Sequence, residues 1–561
     1  MCHFRYRIPP PPNTDPPAPP RPATHSFNMQ GAPPLLQRAA RRWPAAGRRR
    51  SLRSHRRQLS GSGEAAAGTV EGVFVFHRHG DRSPAKRLVG DSYADAEEEY
   101  WRSRVPPGPS LHDALSALYP AEIHLSNNAG KFFDTRREPY GFLTWAGMEQ
   151  MRLSGRRCAQ RYMHHGHSEG AAGGGGAVAT ATATASPGSD FLRHWNVQAY
   201  STCYLRTVKS VQCFLQGLLA DGDEKSFEDY QMHSLRDPDE LEAAIAATVR
   251  GRRPASSEDA DRVTVHVRDR RKDTLNAFDR NPDLMRDLVG EVVATPNFQR
   301  QDAAAAPLAT MLCRRLPGLR HEDRRFFGGP SGINWIHAAD HFVCRGAHGL
   351  PYLRFSGLED DPREEEQLRG LRSGTLAHLA WRFRQWYRNP RLLAAIAAPP
   401  LREVETKIRD AAAPGVGASG GRRRPFVVYS CHDVTILSLL YGLRADFLED
   451  DRGAGARFWP EYGTSLTLEL VRLREEGAEA DVDAADPADC SAHALRIVLN
   501  GRPVRSVRLS DSPAQGDAMR ISDFSSIIDG LEEAGGWGGE GRLADDPACG
   551  QVKRDMSGWT G

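Results

Sequence analysis

Apolar residues along this chain follow two periods, and the switch from one to the other recurs. VEGVFVF (70–76), NVQAYS (196–201), RPFVVYS (424–430) and TSLTLELVRL (464–473) are rich in β-branched and aromatic residues, which predicts strands. The second is followed by Val208, Val211, Phe214, Leu215, Leu218 and Leu219, a stripe with the spacing of one helical face. The third is followed by Val434, Ile436, Leu437, Leu440 and Leu443 at the same spacing. Strand, short loop and helix in repetition predict an α/β fold with a mostly parallel sheet. LRIVLNGRPVRSVRL (495–509) reads as a hairpin around Asn500-Gly501, a pair suited to a type I′ turn.

Elsewhere the apolar pattern lapses. Residues 166–190, 250–262, 410–424 and 475–491 are Gly, Ala, Ser and charge, with too little apolar surface to offset ordering, and read as surface insertions. The stretch 221–374 is charged and strand-poor, and is expected to be a helical cap inserted between two parts of the core, 69–220 and 375–515. Residues 516–561 read as a C-terminal extension. No run of about 18 apolar residues is present, so no transmembrane segment is expected.

Charge changes the picture at one end. Residues 1–68 hold twelve arginines against Asp15 and Glu64. Without them 62 basic and 69 acidic residues remain, a body of about −7 that gives no electrostatic reason to expect a nucleic-acid partner. This basic segment offers no apolar face to bury and is expected to be disordered. From Met29 to Ser60 its nine arginines without an acid have the composition of a transit peptide, so a mitochondrial address is expected, with another organelle or the cytoplasm as alternatives. The nine cysteines form no C-x-x-C pair, and their odd number favours reduced thiols.

Three of the strands end in charged loops: Arg78-His79-Gly80-Asp81-Arg82-Ser83-Pro84, Ser201-Thr202-Cys203-Tyr204-Leu205-Arg206-Thr207, and His432-Asp433. Ligands of such sheets bind beyond the carboxyl ends of the strands. Arginine forks there match phosphate oxygens in pairs, a histidine among them would be a nucleophile, and an acid beside it would protonate a leaving oxygen. Each piece alone has a plainer meaning, since an arginine is most often a surface ion pair and His-Asp a helix cap. Other candidates fail on context. Gly417-Ala418-Ser419-Gly420-Gly421 fits G-x-S-x-G but lacks the strand before it. His164, His165 and His167 open a low-complexity insertion without supporting ligands.

Together these residues resemble the branch-two histidine phosphatases, which include the histidine acid phosphatases and phytases. Arg78 to Pro84 matches R-H-G-x-R-x-P at every fixed position. LTWAGMEQMRLSGRR from 143 is similar to the family's L-T-x-x-G-M-x-Q segment, with Ser154 inserted before Gly155. STCYLRTVKS resembles S-T-x-x-x-R-T-x-x-S, and YSCHDVTILSLLYGL followed by WPEYGTSLTLELV resembles the H-D-x-T helix and the strand after it. The resemblance implies a phosphoglycerate-mutase-like three-layer sandwich with an inserted helical cap. It implies an acid phosphatase acting through a phosphohistidine on His79, with Asp433 as proton donor and Arg78, Arg82, Arg206 and His432 binding phosphate. No metal or other cofactor is expected, because arginines supply the positive charge.

The implied substrate is a small phosphomonoester. The H-D-V-T wording and the basic leader look most like the mitochondrial lysophosphatidic acid phosphatase branch, which would make the substrate a lipid monophosphate. Asp81 fits that branch poorly, since aspartate at this position also occurs in the 2-phosphoxylose phosphatases. A phytase is a further alternative, to which Arg268, Arg270, Arg271 and Lys272 would lend a basic rim. A catalytically silent phosphate-binding module is the non-enzyme alternative. It predicts loss of the nucleophile or the acid, and both are present.

Overall fold

A computed structural model describes residues 68–106, 115–124 apart from 117, 138–163, 187–219, 263–321, 330–350, 362–412, 423–448, 457–473, 492–507 and 518–536. The expectations for 1–67, for the low-complexity segments 250–262 and 475–491, for the G-x-S-x-G match and for His164, His165 and His167 lie outside these residues.

The described core is a nine-stranded sheet in the order β2-β4-β3-β5-β1-β6-β7-β8, with β9 also paired to β7. Strand β1 (Thr69–Arg78) lies at its centre. It runs parallel to β5 (Arg424–Cys431) and antiparallel to β6 (Ser465–Arg472). On the parallel side follow β3 (Trp195–Ser201), β4 (Val265–Arg268) and β2 (Ala121–His124). On the other side lie β7 (His493–Leu499), β8 (Arg502–Val504) and β9 (Ala518–Arg520), all antiparallel.

The long apolar run of β1 reflects burial on both faces, as in parallel sheets covered by helices. Val73 and Val75 pack with Phe426 and Val428 under α2 (Trp145–Met163) and α4 (Leu205–Leu219). Phe74 and Phe76 point the other way with Val427 and Tyr429. That face is covered by α10 (Pro390–Ala412), α11 (Asp433–Gly442) and α12 (Ile521–Ala534). The result is the expected helix–sheet–helix sandwich.

Three expectations about organisation need correction. Residues 265–268 lie inside the stretch read as a helical insertion, yet form β4 between β2 and β3. Four residues of V-H-V-R are too short for a period to register. Residues 518–534 are not an appendage: β9 extends the sheet, and Ile521, Phe524, Ile527 and Ile528 of α12 are buried in the core. Residues 187–190 open helix α3 (Pro187–His194), and 410–412 close α10, so both insertions are shorter than read. Among the described residues, the other elements of the insertion are helical. Helices α5 (Pro282–Val293), α6 (Pro296–Ala304), α7 (Ala306–Arg315) and α8 (Trp335–Ala347) share an apolar cluster with α9 (Pro362–Arg388). The hairpin turn is as read, with positive φ at both Asn500 (50°) and Gly501 (79°).

Helices α2 and α4 touch through their backbones. A Cβ on Gly155 would sit 1.9 Å from the Phe214 carbonyl oxygen, and one on Gly217 would sit 1.8 Å from that of Arg152. Gly155→Ala is therefore expected to lower stability by about 1–3 kcal/mol, read as a lower urea midpoint. Gly290→Ala, in α5 with no atom within 4 Å of the added carbon, should raise it by roughly 0.5–1 kcal/mol. Equal shifts for the two would mean that the α2–α4 contact is looser than described.

Candidate active site

The site exists because three neighbouring parallel strands stop at one level. Arg78 is in register with Cys431, and Ser201 with Ser430, so β3, β5 and β1 end side by side. The residue after β1 is His79. The loop after β3 carries Thr202 and leads to Arg206, and β5 passes directly into His432-Asp433 at the start of α11. Backbone bonds hold the ends together: His79 N–H donates to Cys431 O at 3.1 Å, Thr202 N–H to Ser430 O at 3.2 Å, and Gly463 N–H to His79 O at 3.2 Å.

His79 is 2% exposed. Its Nδ1 lies 2.8 Å from the Gly80 carbonyl, which can only accept, so Nδ1 carries the proton and Nε2 the lone pair. Its ring meets the His432 ring edge-on at 5.6 Å and the Tyr462 ring at 5.7 Å. Burial, then the charges of Arg206, Arg78 and Arg82, hold its pKa well below the usual histidine value. His432 is held down by burial and the same arginines, and its Nε2 lies 3.2 Å from Thr202 Oγ1. Both imidazoles are neutral at neutral pH.

Each arginine is braced on part of its guanidinium. Arg78 donates from Nη1 to Pro460 O (2.7 Å), pairs through Nη2 with Asp433 Oδ2 (2.8 Å), and lies 4.2 Å from the Tyr462 ring centroid. Arg82 grips both oxygens of Asp340, at 2.6 and 3.0 Å. Arg206 lies 4.4 Å from the Tyr204 ring, and no carboxylate pairs with it among the described residues. Burial, with Arg82 as the next cause, lowers its pKa to about 10. In all three the Nε–H is buried without an acceptor. Three guanidinium charges face two carboxylates and two neutral histidines, so the crevice is short of negative charge. Asp433 is the first residue of α11; its Oδ1 accepts from Val434 N–H (2.9 Å) and its Oδ2 from Trp459 Nε1–H (3.2 Å).

The glycine in the loop serves close approach. A Cβ on Gly80 would lie 2.3 Å from the Gly147 carbonyl, and one on Gly147 would lie 2.0 Å from that of Asp81. Gly80 N–H donates to Ser210 Oγ on α4 (3.1 Å). Asp81 is buried, and its carboxylate accepts from Thr144 Oγ1 (2.6 Å) and pairs with His348 Nε2 (2.5 Å).

All six residues singled out in the sequence thus meet in one crevice. Sequence reasoning missed Asp340 and His348, which lie in the helical insertion, and Tyr462, Thr202 and Trp459. Thr202 and Tyr462 stood inside quoted motifs, so a signal existed for them; none existed for Asp340. The basic run divides. Arg268 is paired with Glu403 at 2.6 Å and supports the sheet, whereas Arg270 lies 5.6 Å from the Tyr204 ring, with exposed Arg271 and half-buried Lys272 beside it. No described helix is long and apolar enough to cross a membrane.

Residues 69–313 match the model of the histidine phosphatase superfamily, branch 2. A search of curated proteins found no match. Among solved structures, the phytase of Klebsiella sp. ASR1 aligns over 83% of this chain and 96% of its own, at 14% identity and a TM-score of 0.40. The Hafnia alvei phytase in complex with myo-inositol hexakis sulphate aligns over 83% and 97%, at 13% and 0.41. The Bifidobacterium longum multiple inositol polyphosphate phosphatase in complex with inositol hexasulfate aligns over 84% and 93%, at 11% and 0.42.

In the pH dependence of stability three buried neutral histidines outweigh buried Asp273, whose carboxyl is pushed up to about 7 by burial and favours the folded state as pH falls. His77, stacked on Phe214 at 5.2 Å, is pushed down to about 4 by burial, and His79 and His432 are also lowered. Below pH 6.5 the unfolded chain binds more protons than the folded one, so stability is full above 6.5 and falls as pH drops. Each histidine contributes up to about 1.4 kcal/mol per pH unit. Urea midpoints should fall from pH 7 to pH 5, before most carboxylates titrate, and His77→Gln should remove part of that slope. A flat profile in the wild type would mean that these histidines are solvated.

Proposed function

We propose that this protein is a branch-two histidine phosphatase, a phosphomonoesterase that works through a phosphohistidine on His79; the match of residues 69–313 to that superfamily's model supports the reading. One observation carries this reading: three buried Nε–H groups without acceptors surround an imidazole whose Nε2 holds a lone pair. A phosphoryl group offers its peripheral oxygens to Arg78, Arg82 and Arg206, with His432 as a further contact, and these donors need no reorganisation as charge shifts in the transition state. His79 Nε2 forms the bond to phosphorus as the bond to the ester oxygen breaks, and Asp433, having taken the proton that the monoanionic ester brings in, passes it to the leaving alkoxide. Water then attacks the phosphohistidine, Asp433 takes a proton from it, and phosphate leaves with the imidazole restored. The arginines supply the charge that a metal would, so turnover should persist in EDTA.

For the substrate we favour a small polyol with several phosphates over lysophosphatidate. The support is the run Arg270, Arg271 and Lys272, whose first member lies against Tyr204, the same ring that contacts Arg206 and His432. The apolar side chains of Val105, Pro106, Phe142, Leu143 and Leu205 beside Arg206 keep a lipid monophosphate as the second reading, although the cavity they enclose is only about 20 Å³.

Hydrolysis of p-nitrophenyl phosphate tests the chemistry. His79→Ala should reduce kcat by about 10³-fold or more. Asp433→Asn should slow alkyl esters far more than the nitrophenyl ester, whose leaving group needs no proton. Full activity in His79→Ala would overturn the phosphohistidine, and no turnover by the wild type at any pH from acid to neutral would favour the silent binding module.

The substrate class is tested separately by kcat/KM. Phytate should exceed lysophosphatidate, and replacing Arg270, Arg271 and Lys272 by Ala should lower kcat/KM for phytate while leaving p-nitrophenyl phosphate nearly unchanged. The reverse order of substrates would establish the lipid reading instead.

A further inference from the structure

The Arg82–Asp340 pair is an unexpected feature for a site that binds anions, because a carboxylate there opposes the phosphoryl charge. Its contribution has to be geometric. A guanidinium presents five N–H groups. On Arg82, Asp340 takes one proton each from Nη1 and Nη2, and Ser83 O takes the second Nη1 proton at 2.9 Å. The Nε–H and the second Nη2 proton remain, adjacent on one edge, and the Nε is buried without an acceptor. That edge is a ready bidentate fork for two phosphoryl oxygens.

Asp340 is itself held firmly. Its Oδ2 also accepts from Ala85 N–H at 2.7 Å, and Arg82, that backbone bond and the nearby His337 keep its carboxyl below the usual range despite burial. It stands on α8, and the same face continues toward the site. One turn on, Cys344 Sγ lies 3.1 Å from Tyr462 Oη, and at the C-cap His348 meets Asp81. Positions 340, 344 and 348 follow one helical stripe. The stripe touches Arg82, Tyr462 and Asp81, all of them around His79.

We propose that Asp340 is a positioning residue for phosphoryl transfer: by holding the outer edge of Arg82 it turns the Nε/Nη2 edge toward the transferring group. The proposal rests on His79 as nucleophile and Arg82 as phosphate ligand. A merely structural tie between α8 and the loop would affect folding and leave the reaction's own parameters in place.

The test is kinetic, on the full chain with p-nitrophenyl phosphate. Asp340→Asn should lower kcat by roughly 10–100-fold, since small misplacements of a catalytic donor have effects of that order. Inhibition by vanadate, which resembles the transition state, should weaken by a similar factor, while inhibition by inorganic phosphate changes less than about threefold. In an Arg82→Ala background the same substitution should have little further effect, because the two act as one unit. Unchanged kcat, equal weakening of vanadate and phosphate, or an undiminished loss in the Arg82→Ala background would each overturn the proposal. If Asp340→Asn does not fold, Asp340→Glu keeps the charge and shifts the carboxylate by one methylene; unchanged kcat there overturns the proposal, and a loss at an unaltered melting temperature supports it. His79→Ala with full activity would instead remove the underlying reading, so the two failures are distinguishable.

Discussion

Three guanidinium groups buried around one imidazole form the constraint on which the rest of this structure depends. Cations taken out of water are tolerated only where other groups answer their charge and fill their hydrogen bonds. Asp433 answers Arg78 and Asp340 answers Arg82, while Arg206, with no carboxylate paired to it among the described residues, lies against the face of Tyr204. The account is left one charge short and three Nε–H groups open. A phosphoryl group closes both deficits at once. Burial first, and then the same field, keeps His79 and His432 unprotonated, as the proposed roles of nucleophile and neutral donor require.

Such a cluster needs a frame stiffer than a loop. The sheet supplies it through register: β3, β5 and β1 end level, so their next residues share one crevice without long connections. The frame is then locked by backbone contacts that only glycine permits. Gly80 lies against Gly147, and Gly155 and Gly217 bring α2 onto α4. Helix α2 therefore holds the loop of His79 at one end and the helix that carries Arg206 further along. Stability and site geometry are properties of the same contacts.

What was legible in the sequence follows from how local each signal is. β1, β5 and β6 are long and doubly buried and β3 is partly so, and β-branched and aromatic runs exposed all four; the Asn500-Gly501 turn declared itself by its φ requirement. β2, β4 and β9 have three or four residues each, and pairing rather than composition makes them strands. The six candidate site residues were readable because each ends or follows a strand in a motif that joins charge to a buried run. Asp340 and His348 were not, because their meaning lies in which face of α8 meets a loop more than 250 residues earlier in the chain.

Asp81 shows how a variable position inside a motif can still be constrained. It sits between Gly80 and Arg82, and its carboxylate meets no arginine of the crevice at ion-pair distance: its partners are Thr144 at the start of α2 and His348 at the end of α8. A small residue there would leave His348 Nε2 without this partner and the end of α8 tied to the loop through Asp340 alone. The aspartate is thus matched to the cap: its value depends on a histidine in the inserted helical region. Specificity arguments drawn from this position alone, such as weighing lysophosphatidate against sugar phosphates, therefore miss its surroundings. Here the motif's fixed residues Arg78, His79 and Arg82 line the crevice, and its charged variable residue faces the helix that braces them.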